Sequence, residues 1–118
     1  RRAYRDAAGG PARVRFVCLG LTETFRDPDG KPLADGSVDL VNAAGVVGHH
    51  LDAASVGPLL GELRRCVRPG GLAVLDDGPT LPTGVLTRGM QGVGFRALGR
   101  YRSWPLAQSG QVAFVREG

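Results

Sequence analysis

Apolar positions along the chain fall into two rhythms that take turns: short alternating or continuous runs, and longer stretches spaced by three and four. Residues 14–19 (VRFVCL) alternate and then run apolar, which predicts a strand. Residues 37–41 (SVDLV) predict a second, and 72–75 (LAVL) form a continuous apolar run of the kind buried on both faces of a sheet. Between these two, Val56, Leu59, Leu60, Leu63, Cys66 and Val67 keep helical spacing. Asp52 or Ser55 is the N-cap in this reading, Pro58 is tolerated only near the start, and Pro69, Gly70 and Gly71 end the helix. A weaker helix carries Leu81, Val85, Leu86 and Met90, with Thr80 or Thr83 as its cap and Gly92 and Gly94 at its end. Residues 95–101 and 111–116 predict two more strands, and the short turn between them, with Pro105 and Gly110, favours antiparallel pairing. Residues 1–8 read as the end of a helix stopped by Gly9, Gly10 and Pro11, and residues 20–36 are polar and rich in turn formers.

Strands alternating with helices through tight turns imply an α/β domain. Glycine (19) and proline (8) make nearly a quarter of the 118 residues, which suits such turns and excludes a coiled coil. The length allows one core and not two. A chain of this size buries roughly two thirds of its unfolded surface, enough to fold without metal or disulfide. No apolar run approaches the roughly 20 residues that cross a bilayer, and none resembles a signal peptide, so a cytoplasmic location without a membrane partner is expected. Cys18 and Cys66 lie in apolar surroundings without metal-ligand spacing and are expected as buried, reduced thiols. The formal charge is +4, and Lys31 is the one lysine among 15 basic residues. Arg1, Arg2, Arg5, Arg13 and Arg15 crowd one stretch, and Arg64, Arg65 and Arg68 another. No aromatic residue interleaves with the second cluster, solvated helix faces are the favoured reading of both, and nucleic acid is not expected as a partner.

Four short motifs punctuate this order of elements. DGSVDLV spans 35–41, GVVGHHL spans 45–51, LLGELRRCVRPGGLAVLDD spans 59–77 and GVGFRAL spans 92–98. In that order and spacing they resemble the C-terminal two thirds of a class I S-adenosylmethionine-dependent methyltransferase. They are similar to the family's fourth strand, the loop after it, the helix ending in Arg-Pro-Gly-Gly with the fifth strand, and the Gly-Phe turn into the last antiparallel pair. Residues 14–23 then take the place of the third strand and its adenine-side loop. Leu21 stands where the family usually carries an aspartate, with Thr22 or Glu23 as substitutes.

The resemblance implies a Rossmann-like open twisted sheet in three layers, mostly parallel with a C-terminal antiparallel strand pair, in the family order 3-2-1-4-5-7-6. It implies S-adenosyl-L-methionine as cofactor, bordered by Gly20, Thr22, Glu23, Asn42, Ala43 and Ala44. The family's glycine-rich turn after the first strand, and the acidic residue closing the second, have no counterpart here. Residues 1–118 are therefore expected as a single partial methyltransferase domain, truncated before the third strand and inactive alone. Its expected complement is a missing N-terminal segment or a complementing chain. Residues 14–19, deprived of their neighbour, would pair with 37–41 or with another molecule, since buried unpaired backbone groups are costly.

Methyl transfer from a sulfonium is a direct displacement, so acceleration comes from alignment and the exclusion of water. In an open α/β sheet the pocket lies beyond the carboxyl ends of the strands, here residues 42–50 and 76–80. A neutral oxygen or nitrogen acceptor also gives up a proton. His49 or His50, expected at the pocket rim ahead of a helix beginning near Asp52, is the candidate catalytic base. The plain alternative is that one imidazole caps or precedes that helix while the other faces solvent. Asp76 and Asp77 are candidate substrate-binding residues, or plain polar strand ends. Adjacent histidines point apart and lack a third ligand at suitable spacing, so no metal is expected. The expected partner is a small-molecule methyl acceptor. Two other classes remain open: a non-catalytic or complementing Rossmann-like domain acting through a partner chain, and a nicotinamide-dependent enzyme, disfavoured because no GxGxxG follows a strand.

Overall fold

The structure, a computed structural model, describes residues 14–104, 107 and 109–118. The helix end read at residues 1–8 and the turn proline Pro105 lie outside the described residues. The elements are β1 (Val38–Ala43), α1 (Val47–His50), α2 (Gly57–Cys66), β2 (Val67–Asp76), α3 (Thr83–Gly92), β3 (Phe95–Tyr101) and β4 (Gln111–Arg116). One sheet joins the strands in the order β1-β2-β4-β3. β1 and β2 are parallel, with Leu40 opposite Leu72 and Ala43 opposite Leu75, while β4 runs antiparallel to both β2 and β3. Parallel neighbours need a crossover, which α1 and α2 supply. The order reproduces the 4-5-7-6 part of the family's sheet, and the fold is Rossmann-like α/β.

The core forms where the helical spacing and the strand alternation meet. Leu59, Leu60, Leu63 and Cys66 of α2 are buried, as are Leu86 and Met90 of α3. The leucines and Met90 pack with Ala73 and Leu75 of β2, Phe95 of β3, and Val112 and Phe114 of β4. A Cβ on Gly89 would lie 2.8 Å from Leu60 Cδ1, so this glycine sets how closely α3 approaches α2. Alternation sends Leu40, Leu72 and Val74 to the opposite face. There Leu40 and Leu98 are more than half exposed. No described helix is long and apolar enough to cross a membrane.

Several local readings change. β2 begins at Val67, directly after α2, so Arg68–Gly71 belongs to the strand instead of a separating turn. Gly70 has φ +78°, and a Cβ on Gly71 would sit 2.7 Å from Val67 Cγ1 and 3.0 Å from Asp39 O; the tight exit excludes a side chain there. Asp52 does not cap α2. Its Oδ1 accepts from the N–H groups of Ala54 and Ser55, both at 3.0 Å, and from the Ser55 hydroxyl, closing a turn before the helix. Those bonds, led by the Ser55 hydroxyl, hold the Asp52 carboxyl below its ordinary value. α2 itself starts at Gly57, after Val56 at the N-cap position, with Pro58 in its first turn, where a missing N–H costs nothing.

Residues 14–20 form no strand, and β1 pairs with β2 alone among the described residues. Val14, Phe16 and Val17 are exposed. Cys18 is accordingly exposed, contrary to the expectation of a buried thiol, whereas Cys66 is buried as expected. The following loop is tied to α2. Phe25 N–H donates to Glu62 Oε2 at 2.8 Å, and Arg65 bonds Glu62 at 2.8 and 2.9 Å, Asp35 at 3.1 Å and the Leu33 carbonyl. The Arg65 guanidinium, working against partial burial and aided by the Phe25 N–H, holds the Glu62 carboxyl at about 2.

Candidate functional site

Because β4 is antiparallel to its two neighbours, β1, β2 and β3 all end at one edge of the sheet. The segments after β1 and β2 meet there. Asp76, the last residue of β2, is 3% exposed, and its carboxylate accepts three backbone N–H groups from the start of α1. Oδ1 takes Val46 and Val47, both at 2.8 Å, and Oδ2 takes Gly48 at 3.0 Å. α1 has no cap from its own sequence neighbours. Asp76 supplies one from the adjacent strand, satisfying donors that a helix start leaves open.

Asp77 takes a different course, as consecutive strand residues do. It is 1% exposed. Arg100 of β3 donates to both of its oxygens, Nε at 2.6 Å and Nη2 at 2.9 Å, while the Thr83 hydroxyl donates at 2.5 Å and Gly110 N–H at 2.9 Å. Burial opposes ionisation, but the Arg100, Thr83 and Gly110 bonds outweigh it and hold the carboxyl below its ordinary value. The same pairing raises the Arg100 guanidinium. The two carboxylates read together from the sequence thus carry separate networks, and both have partners within the fold.

Backbone approach makes these networks possible. A Cβ on Gly48 would lie 2.2 Å from the Asp77 carbonyl carbon and 2.4 Å from Gly78 N, and one on Gly78 would lie 2.4 Å from Gly48 O. Only glycine fits at either place. Thr80 closes the arrangement, its hydroxyl 2.9 Å from Gly48 O and 2.8 Å from Leu51 O at the end of α1. Thr80 therefore serves α1, and Thr83, read as a cap for α3, bonds Asp77 instead.

His49 and His50 end the one-turn helix α1, an element the spacing did not predict, and do not lead into α2. Both are exposed. His49 Nε2 stands 3.9 Å from Asp76 Oδ2, so the structure brings His49 and Asp76 together; no such contact is made by His50 among the described residues. Asn42, at the end of β1, is exposed and accepts the Ala44 N–H at 3.1 Å, bending the chain into a turn through Ala44 and Gly45, whose φ is +81°. Ala43 packs against the core. Gly20 and Glu23 form a separate exposed turn in which Gly20 N–H donates to Glu23 Oε2 at 2.6 Å; Thr22 is exposed within it, and Leu21 packs inward.

A cavity of about 180 Å³ opens at this edge. Gly45 and Asp76 border it from one side, and Tyr101, Ser103, Gly110 and Gln111 from the other. The sequence reading missed the second set. Its signal was available, since a strand that runs parallel to β2 must deliver its last residue, and its antiparallel partner's first, to the carboxyl edge.

The known proteins with this fold agree with the geometry. The PH0226 protein of Pyrococcus horikoshii OT3 superposes with a TM-score of 0.69 at 10% identity, over 90% of this chain and 61% of that one. The 1,6-didemethyltoxoflavin-N1-methyltransferase of Burkholderia thailandensis, solved with 1,6-didemethyltoxoflavin and S-adenosylhomocysteine, gives 0.67 at 18% identity, over 94% and 54%. TTHA0409 of Thermus thermophilus, solved with S-adenosyl-L-methionine, gives 0.52 at 16% identity, over 72% and 47%. The chain thus spans about half to three fifths of these proteins' lengths. No curated protein sequence matches it. The sequence pattern of the methyltransferase domain matches residues 6–75, more than half of the chain, and the chain belongs to that family.

Proposed function

We propose that this domain serves methyl transfer from S-adenosyl-L-methionine to a small-molecule acceptor. The family supports the reaction, and a neighbour solved with bound 1,6-didemethyltoxoflavin supports the acceptor class. The residues present fit the adenosine side of the cofactor. The turn after β1 offers small side chains at Ala43 and Ala44, and around Gly45 open space where a Cβ would stand, so a flat ring can approach the backbone. Asn42 keeps its amide N–H₂ as donor while its Oδ1 holds the turn, and Gly20, Thr22 and Glu23 add an exposed turn with a hydroxyl and a carboxylate. Bound S-adenosylmethionine supplies an electrophilic methyl carbon on sulfur. His49 accepts the acceptor's proton at Nε2, and Asp76 fixes the helix that carries it; the 3.9 Å approach of these two groups at the carboxyl edge is the observation that carries the reading. His50 is the alternative base on the same turn.

The chain is inactive alone in this reading, so the test is calorimetric titration of the chain joined to its expected N-terminal segment or complementing chain with S-adenosylmethionine and S-adenosylhomocysteine, and no heat with either at millimolar concentration overturns it; turnover is measured on the same complemented protein. His49→Ala lowers turnover and leaves the melting temperature unchanged; the reverse pattern assigns His49 to the fold. A second reading, a domain acting through a partner chain, draws on the exposed apolar face of Leu40, Leu72 and Leu98. Sedimentation with and without cofactor separates the two.

A further inference from the structure

β3 and β4 bring a row of polar side chains to the carboxyl edge. The register sets Asp76 opposite Gln111, and Gln111 opposite Tyr101, so these three side chains leave the sheet on one face as a row. On one side of the row lies a shallow trough of about 410 Å³ with Val74, Ala113 and Leu98 in its walls. On the other is the 180 Å³ cavity with Ser103 and Ser109. Tyr101 and Gln111 border both. The trough alone falls within the roughly 300–1,000 Å³ of small-molecule sites.

The polar groups of the row have capacity to spare. Among the described residues, neither the Gln111 amide nor the Tyr101 hydroxyl makes a side-chain hydrogen bond. Asp76 uses three of roughly four lone-pair sites on backbone N–H groups, leaving one. A buried carboxylate repels an anion, and Arg100, the one cation at the trough among the described residues, is spent on Asp77. The complementary ligand has an uncharged edge that donates N–H or O–H, and a flat apolar body that lies along the Tyr101 ring.

We propose that trough and cavity together bind a neutral, flat heteroaromatic molecule, its N–H or O–H edge at Gln111 and Asp76 and its ring at Tyr101, Val74 and Leu98. The inference rests on the methyl-transfer reading, within which this is the acceptor half of the site. Gln111 and Tyr101 are its specificity-determining residues.

The test uses the 118-residue chain, 4-quinolone as a neutral probe with an N–H edge, and quinoline-4-carboxylate as its anionic counterpart. Amide chemical shifts are followed at pH 7. The quinolone is expected to shift Gln111, Gly110 and Gly45 saturably, about tenfold more weakly in Gln111→Leu and in Tyr101→Ala, while the carboxylate binds at least tenfold more weakly than the quinolone. Both variants keep the backbone pairing of β3 with β4, and unchanged circular dichroism verifies it. Quinolone shifts that are absent at millimolar concentration, scattered elsewhere, or insensitive to Gln111→Leu overturn the proposal, as does concentration-dependent self-association that moves the same amides without ligand. Cofactor titration is read separately, on the chain joined to the N-terminal segment or complementing chain expected for it: quinolone binding without cofactor binding there refutes the transfer reading and leaves the pocket, and the converse refutes the pocket alone.

Discussion

Replacing Asp77 by Asn keeps the volume of a fully buried side chain and removes the charge that Arg100, Thr83 and Gly110 all address. An amide there retains one acceptor oxygen but turns an N–H₂ toward the Arg100 donors. Breaking a buried ion pair costs about 3–5 kcal/mol. The Arg100 side chain is 27% exposed and recovers hydration when its partner loses charge, so the lower end, about 3 kcal/mol, applies to this variant. For a domain of this size that is roughly 10–15 °C in Tm. Arg100→Met is the harsher change, because it strands a carboxylate that is 1% exposed with only Thr83 and Gly110 to solvate it; about 4–5 kcal/mol is expected. The pH dependence has a definite sign. The folded carboxyl lies below its ordinary value of 3.8, so its contribution is complete above that pH and disappears as the pH falls through the folded value. The gap between wild type and Asp77→Asn therefore stays constant from pH 7 down to about 5 and closes in stronger acid. Urea unfolding followed by circular dichroism across this range measures it. A loss under about 1 kcal/mol at pH 7, or an Arg100→Met variant milder than Asp77→Asn, would refute the reasoning.

Glycine substitutions separate space from flexibility. Gly48→Ala forces its methyl into the Asp77 backbone and is expected to cost at least about 2 kcal/mol, whereas Gly61→Ala, in the middle of α2 with nothing within 4 Å, stabilises by about 0.5–1 kcal/mol; thermal melts of both check the contrast. Glu62→Gln loosens the loop at residues 25–35 only above the acid range: the folded carboxyl near 2, against an ordinary 4.5, makes its contribution full above about 4.5 and lost by about 2, which unfolding curves at pH 7 and pH 2 compare. A thiol reagent under native conditions is expected to modify Cys18 promptly and Cys66 only on unfolding, since Cys66 is buried and burial raises its thiol's pKa; two fast equivalents by mass spectrometry contradict the placement of α2.

The fold was legible where a pattern and its partner lie in the same stretch of chain. The two last strands carry their alternation, their turn and each other within a short span, and they appear at the residues expected. α2 shows its face through Leu59, Leu60 and Leu63, which a period of three and four reveals directly. Residues 14–19 have strand composition, but a strand is a ladder and needs a neighbour, which no alternation in VRFVCL supplies; the segment takes no strand, and Val14, Phe16 and Val17 are exposed. α1 escaped notice for the opposite reason. Four residues, two of them histidines, have no periodicity to read, and the cap that stabilises them comes from a residue 28 to 30 positions away.

The site is built on that kind of distance. Asp76 has the parity of Leu72 and Val74 and therefore looks to the open face, while Asp77 must look the other way, so the sequence already contained the statement that the two carboxylates do not share a ligand. What each meets on its own face depends on chain far removed. Asp76 needs an α1 that sits low enough to present three N–H groups, and α1 sits that low only because Gly48 and Gly78 carry no side chains between them. His49 follows from the same contact, since its place at the edge is set by the helix that Asp76 caps. Tyr101 and Gln111 reach the edge through a separate route, the antiparallel pairing of β3 and β4 with β2. Of the row, Asp76 belongs to both networks because its carboxylate also caps α1, whereas Tyr101 and Gln111 take no part in that cap or in the glycine contact; on the proposed reading, substitutions at those two positions change ligand choice and leave the contact that places His49 intact.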